Sequence, residues 1–346
     1  MKRFAILAAL ATGAVAFTYL MARVGIGAVL HAMARLGWGG FCAIILFHLA
    51  LVIPMGCAWW RLGKRTGQGH PACFIWGRLV RDAAGEALPL SQLGGVVLGA
   101  RAATLCGVSG GFAAASTAVD LAVEMAAKLP YTLLGLVLLV WYRPANHLIV
   151  PALLALIFTG GAAFALLALQ AKGARLMDGL AARLASAWTN GTNGPNGTSG
   201  ENGVSLHGTI QAILAPRGAL WPSFLIHCCT WILSSVELLL PLWFMGANLG
   251  LGDAIAIDSL VSGIRSIAFI VPHAIGVQEG AYVLLFGVFG LDPQTALAFS
   301  MLRRSRDVTI AIPVLILLQA LEGRRAWRQL VSRPGNSGDQ TREAAD

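Results

Sequence analysis

Charge is scarce in this chain. Only 12% of its 346 residues are Asp, Glu, Lys or Arg, against about 25% in a typical soluble domain. With 57% hydrophobic residues and a mean hydropathy of +0.71, too little polar surface is left to coat a water-soluble globule. Several catalytic signatures are missing as well. No G-x-x-x-x-G-K-[ST] loop is present, which excludes an ATP-driven pump within this sequence. No H-E-x-x-H helix and no G-x-S-x-G elbow occurs, and the scattered histidines lack metal-ligand spacing. No C-x-x-C pair is found among Cys42, Cys57, Cys73, Cys106, Cys228 and Cys229, so the cysteines read as small apolar packing residues. The expectation is a protein without enzymatic activity, cofactor or metal.

What is present is apolar length. A helix needs about 20 mostly apolar residues to cross a hydrocarbon core of about 30 Å. Phe4–Ala22, Trp38–Trp60, Leu148–Gln170, Leu220–Met245 and Ile310–Leu321 with its upstream turns supply such stretches. The first follows Lys2 and Arg3 like a signal peptide, but its length and the lack of an A-x-A site before Arg23 make it a retained span.

The net charge of +9 would suggest nucleic acid in a soluble protein. Here the basic residues cluster just outside the apolar stretches, and no aromatic and basic RNA motif accompanies them. They report orientation instead. Lys2 and Arg3, then a basic loop of Arg61, Lys64, Arg65, Arg78 and Arg81, then Ala171–Arg217, then Arg324, Arg325, Arg328 and Arg333 all fall on the cytoplasmic side. Both termini are therefore expected in the cytoplasm of a multi-pass protein of a bacterial inner membrane.

Residues 1–170 form a first membrane half, 171–217 a cytoplasmic linker, 218–322 a second half and 323–346 a tail. Within the linker Asn190–Gly203 is rich in Asn, Gly, Thr and Ser and lacks apolar periodicity. A shift of 183 positions aligns the halves, matching Trp38 with Trp221, Trp60 with Trp243, Pro89 with Pro272, Gly107 with Gly290 and Pro130 with Pro313. Pro, Gly and Trp punctuate membrane helices, so these matches point to an internal repeat.

Each half also holds a broken apolar stretch, Ala83–Leu105 and Ala254–Phe289. Pro89, Gly94 and Gly95 interrupt the first, and Pro272 and Gly276 the second. Even crossing numbers between the basic loops make each a re-entrant pair of half-helices, entering from opposite faces. The predicted fold is all-α and polytopic, with about six crossings, two re-entrant pairs and inverted repeats. Such folds place a substrate site near the midplane.

Ionisable groups inside apolar stretches mark that site, because a charge in hydrocarbon costs several kcal/mol. Asp120, Glu124 and Lys128 follow i, i+4, i+8 spacing and share one helix face, with Glu124 and Lys128 set to pair. They serve either as a structural ion pair or as a polar lining for a lipid headgroup. His273 and Glu279 sit beside the Pro272 break, where they either satisfy freed backbone or meet substrate. Arg303, Arg304, Arg306 and Asp307 lie well inside a last span if it starts near Pro293, with Glu279 or Asp307 as partner. Glu86 and Arg101 flank the first break, Arg265 precedes the second, and His227 and Glu237 sit in another span.

Val271-Pro-His-Ala-Ile-Gly-Val-Gln-Glu279, the Gly-bounded Phe286–Pro293 and Leu302-Arg-Arg-Ser-Arg-Asp307 resemble the membrane region of the lysylphosphatidylglycerol synthase family. Arg81–Gly95 together with Arg303–Asp307 look most like its hopanoid-biosynthesis-associated branch. His273-Ala274 departs from the more usual Gly-rich pair after Pro. In that family the membrane region is taken to move lipids between leaflets, while synthesis belongs to an appended soluble domain that this sequence does not carry. The resemblance implies translocation or handling of a membrane lipid, such as a hopanoid, with no nucleic-acid partner and with a second copy or lipid-biosynthesis enzymes as protein partners. A scaffold for such enzymes and an ion-coupled small-solute transporter are the alternatives.

Overall fold

The computed structural model describes residues 26–64, 67–87, 91–144, 206–215, 220–267 and 274–331, together with positions 150, 153, 154, 156–158, 160, 161 and 218. The first span at Phe4–Ala22, the stretch Leu148–Gln170 for the most part, the linker run Asn190–Gly203, Pro89, Pro272 and His273 lie outside the described residues.

Among the described residues the chain is all helix. In order, α1 is Ile26–Gly63, α2 Pro71–Ala87, α3 Ser91–Leu105, α4 Gly110–Tyr142, α5 Leu206–Leu214, α6 Trp221–Phe244, α7 Leu251–Ile267, α8 Val277–Val288 and α9 Pro293–Val331. Three of these are long and apolar enough to cross a membrane: Ala34–Gly63, Gly110–Tyr142 and Trp221–Phe244. Helix α9, at 39 residues, is the longest, but its charges at 303–307 keep its apolar content lower. The chain is thus a multi-pass membrane protein.

The 183-residue repeat is visible in the helix boundaries. Gly37 breaks α1 with φ 63, so its straight part begins at Trp38, and α6 begins 183 positions later at Trp221. Helix α4 starts at Gly110 and α9 at Pro293, again 183 apart, and each has a proline inside at the matching place, Pro130 and Pro313. The short helices α2 and α3 correspond to α7 and α8 within three residues at their starts. Among the described residues the repeated unit is therefore a long helix, two short ones and another long helix.

The halves run in opposite senses. Gly40 on α1 lies against Phe244 on α6, and His48 contacts Glu237. As the α1 number rises the α6 number falls, so these equivalent helices are antiparallel. Equivalent helices are antiparallel only if the axis relating the halves lies across them, in the membrane plane. Packing follows the same exchange: α4 packs on α7 as α9 packs on α2, and α4 on α6 as α9 on α1.

The arms of the broken elements hold 17 and 15 residues in α2 and α3, and 17 and 12 in α7 and α8. At 1.5 Å per residue each arm reaches only about 18–26 Å, short of a core of about 30 Å. In the first pair the arms approach on glycine. A Cβ at Gly77 would sit 2.9 Å from the Gly99 carbonyl oxygen, and one at Gly99 would sit 2.7 Å from that of Gly77. Small residues let apolar helices meet backbone to backbone where no hydrophobic effect drives them together. This first pair starts at Pro71, earlier than the stretch Ala83–Leu105 suggests, because α2 carries charges that its neighbours neutralise.

The outer surface is apolar, with Leu46, Ile53, Val137, Ile232, Ile312 and Ile316 all exposed. Exposed Trp38 and Trp243 sit at one end of the α1–α6 pair and exposed Trp221 at the other, the positions where tryptophan anchors helices at membrane interfaces.

Candidate functional site

The interior is charged where the exterior is oily. Arg78, Arg81, Asp120, Glu124, Glu237, Asp258, Glu279 and Arg306 are all buried. They form two groups, and a further contact joins the ends of α2 and α7.

In the first group α2 faces α4. Arg78 donates to both Glu124 oxygens at 2.8 and 3.1 Å and to Asp82 at 2.8 Å. Arg81 donates to Asp120 at 2.9 Å and also to Glu124. Fully buried His227 on α6 places Nε2 3.1 Å from the other Asp120 oxygen. This corrects two sequence readings. Arg78 and Arg81 are not part of a basic loop but interior cations on α2, turned onto the carboxylates of α4. Glu124 pairs with them rather than with Lys128, whose ammonium lies 4.6 Å over the Trp231 ring. A carboxylate held by two guanidiniums has no need of a helix neighbour.

In the second group α9 is the source of cations. Arg303 donates to Asp258 at 3.3 Å and to the Tyr282 hydroxyl at 2.6 Å. Asp258 also accepts from Tyr131 at 2.8 Å and Ser234 at 2.7 Å, joining α4, α6, α7 and α9 at one carboxylate. Arg306 pairs with Glu237, which His48 on α1 approaches at 3.2 Å, and with Asp307. Glu279 takes Arg304 rather than Arg306, at 2.7 Å. Its other oxygen accepts the Gly276 N–H at 2.7 Å, capping α8 where Gly276 turns with φ 79. Glu279 thus fills the backbone-satisfying role that its place beside a break suggests.

The breaks meet. Glu86, next to last in α2, accepts from Arg265 near the end of α7 at 2.7 Å. Both side chains are only partly buried, 30% and 22% exposed. Two short arms of opposite sense therefore touch where each stops. Gly94 and Gly95 lie inside α3, past the break rather than in it, and a Cβ at Gly95 would stand 2.9 Å from the Gly85 amide. Arg101 stands apart from all these groups. It pairs with Glu322 at 2.6 Å, both about 28% exposed.

That outlying pair gives a simple prediction. Glu322 follows the apolar run Ile310–Leu321, and the hydrogen bond from Arg101 holds its carboxyl below the usual range. A depressed carboxylate stabilises above its unfolded pKa and loses that contribution as pH falls through the folded value. Screening limits an exposed pair to under about 1 kcal/mol. Glu322→Gln should therefore leave the thermal midpoint in detergent nearly unchanged at neutral pH, and less changed still in high salt.

Between α1, α6 and α9 is a small cleft, with room for about one water, lined by Ile44, Glu237, Pro241, Phe299, Leu302, Arg303 and Arg306. Its lining mixes four apolar residues with one carboxylate and two guanidiniums. The Nε of Arg303, buried here, has no hydrogen-bond partner. Of these residues Arg303 and Arg306 were legible from sequence, and Glu237 stood out only as a lone acid in a span. The remaining partners, His48 and Asp258, carry no local signal.

A family model described as the lysylphosphatidylglycerol synthase TM region matches residues 6–316. No curated protein matches, and no solved structure matches.

Proposed function

The chain belongs to the family of the lysylphosphatidylglycerol synthase TM region, and from that membership, which gives it a membrane-lipid-related function, we propose that it moves a polar-headed lipid between leaflets. The observation that carries the reading is the cleft among α1, α6 and α9. A lipid is an amphipath, and translocation has to shield its headgroup from hydrocarbon while its tail stays there. The cleft presents Arg303 and Arg306 to an anionic or hydroxylated head and Glu237 to a cationic one, with Ile44, Phe299 and Leu302 alongside. Charges inside a membrane domain face such paths because lipid excludes them elsewhere. Inverted halves with breaks at their centres support the same reading, since their exchange of shape opens one face and then the other.

Hopanoids bearing a polar side chain fit the substrate class, as do phospholipids, and the residues of the cleft do not act as nucleophile or base in this scheme. The protein is placed in a bacterial inner membrane on the same footing. Reconstitution into liposomes with a fluorescent-headgroup lipid and an outer-leaflet quencher tests the proposal. Protein should raise the transbilayer rate for at least one lipid class. Rates equal to protein-free liposomes for hopanoid, zwitterionic and anionic lipids would reject it.

A further inference from the structure

The first ion group ends on a histidine that lipid passage through the cleft does not use. His227 is fully buried, with Nε2 on Asp120, while its Nδ1 is buried and has no hydrogen-bond partner. One turn earlier Ser223 is equally buried, and its hydroxyl also lacks a partner. Residues four apart share a helix face. Two unsatisfied polar atoms are therefore stacked along α6, between His227 and the end of that helix at Trp221. Buried polar atoms are nearly always satisfied, so such a pair marks a place for water or a proton.

The groups around His227 define what a proton would do. Helix α4 contributes Asp120, Glu124 and Lys128, the last held over Trp231, and α2 contributes Arg78, Arg81 and Asp82. Helix α1 contributes Trp59, bound to Ser116, while its His48 is engaged with Glu237 farther along α6. On α7, Asp258 and Arg265 are engaged with Arg303 and Glu86. With His227 neutral, three cations and three carboxylates balance. A proton on Nδ1 makes the contact with Asp120 an ion pair and so sets His227 in competition with Arg81 for that carboxylate. Arg81 also binds Glu124 and can be held there instead. It sits on α2, five residues before Glu86 and the contact between the broken elements.

We propose that His227, with Asp120 and Ser223, is a proton-binding site whose charge state decides whether Arg81 is held on Asp120, coupling lipid transfer to a proton gradient. The coupling rests on the lipid-transfer reading; the binding site does not. The proton comes from water at the end of α6 nearest Ser223, forms an N–H bond at Nδ1, and returns to water when that bond breaks. No other bond changes.

Two measurements separate the parts. In nanodiscs, ¹⁵N-histidine spectra of wild type minus His227→Gln, recorded from about pH 8 to about pH 5, should show one Nδ1 signal gaining a proton. In liposomes, an imposed pH gradient should accelerate lipid transfer several-fold in wild type and leave His227→Gln at its gradient-free rate. An Nδ1 signal that stays unprotonated across that range overturns the site, and a gradient response that survives in His227→Gln overturns the coupling. Titration without any lipid transfer in wild type overturns the coupling together with the lipid reading and leaves the proton site standing.

Discussion

Arg81→Met is expected to be among the most damaging single changes in this chain. Among the described residues Arg81 is the one cation bound to Asp120, and it shares Glu124 with Arg78. Asp120 is fully buried and Glu124 nearly so. Removing one partner of a buried ion pair leaves an uncompensated charge, at about 3–5 kcal/mol. The expected result is a large drop in the thermal midpoint of the purified protein, or loss of folded protein on expression. Arg81→Met combined with Asp120→Asn should recover much of that loss, because the pair is then removed together and Arg78 still serves Glu124. A single variant that melts like wild type would show that Arg81 reaches water, against its placement between α2 and α4.

The second large effect concerns transfer rather than stability. Glu237→Gln with Arg306→Gln removes two of the three charges that line the cleft, leaving Arg303, while keeping hydrogen-bonding groups near His48 and Asp307. The pair is overall neutral, so its loss leaves the charge balance of the second group unchanged. The variant should fold and melt close to wild type. Its lipid transfer should fall by at least about tenfold, equivalent to about 1.4 kcal/mol on the barrier. Unaltered transfer in a folded double variant would place the headgroup path elsewhere. Loss of folding would instead assign Glu237 and Arg306 to scaffolding. This comparison also bears on the enzyme-scaffold alternative, because a scaffold would retain its partners in the double variant.

The architecture was legible in the sequence to an unusual depth. Trp38 and Trp221, Gly110 and Pro293, and Pro130 and Pro313 start or punctuate equivalent helices, and the same 183-residue spacing connects them. Backbone punctuation survives in a sequence because few residues can replace Pro or Gly at a break. Charge partners do not survive that way. The repeat sets Asp120 of α4 against Arg303 of α9 and Asp82 of α2 against Arg265 of α7, so equivalent positions carry opposite signs. Charges are paired across helices far apart in number, within a half and between the halves. Arg78 reaches Glu124 and Arg306 reaches Glu237, and nothing local announces either pairing.

Arg78 and Arg81 show the same limit from the other side. A cation between two apolar stretches looks the same in sequence whether it marks a cytoplasmic loop or enters the interior on a short helix. The distinguishing signal was Gly77 and Gly85 beside Arg78, Arg81 and Asp82. Glycines on a helix that also carries charge imply close packing against a partner, and a loop has no use for that. Lys128 was misassigned for a related reason. Spacing of i, i+4 allows a pair with Glu124, but it says nothing about guanidiniums arriving from another helix.

Helices α2 and α7, short and of opposite sense, meet near their ends, and the proposed transfer depends on that contact. Glu86 and Arg265 are the residues that touch there. With the six native cysteines replaced, cysteines at positions 86 and 265 should be joined by a short thiol-to-thiol cross-linker in membranes, and that link should stop lipid transfer until a reducible linker is cleaved. Cysteines at 101 and 265 serve as the control and should not join, because Arg101 lies away from that contact beside Glu322. Failure of the 86–265 pair to cross-link in folded protein, or full transfer while linked, would contradict the central claim.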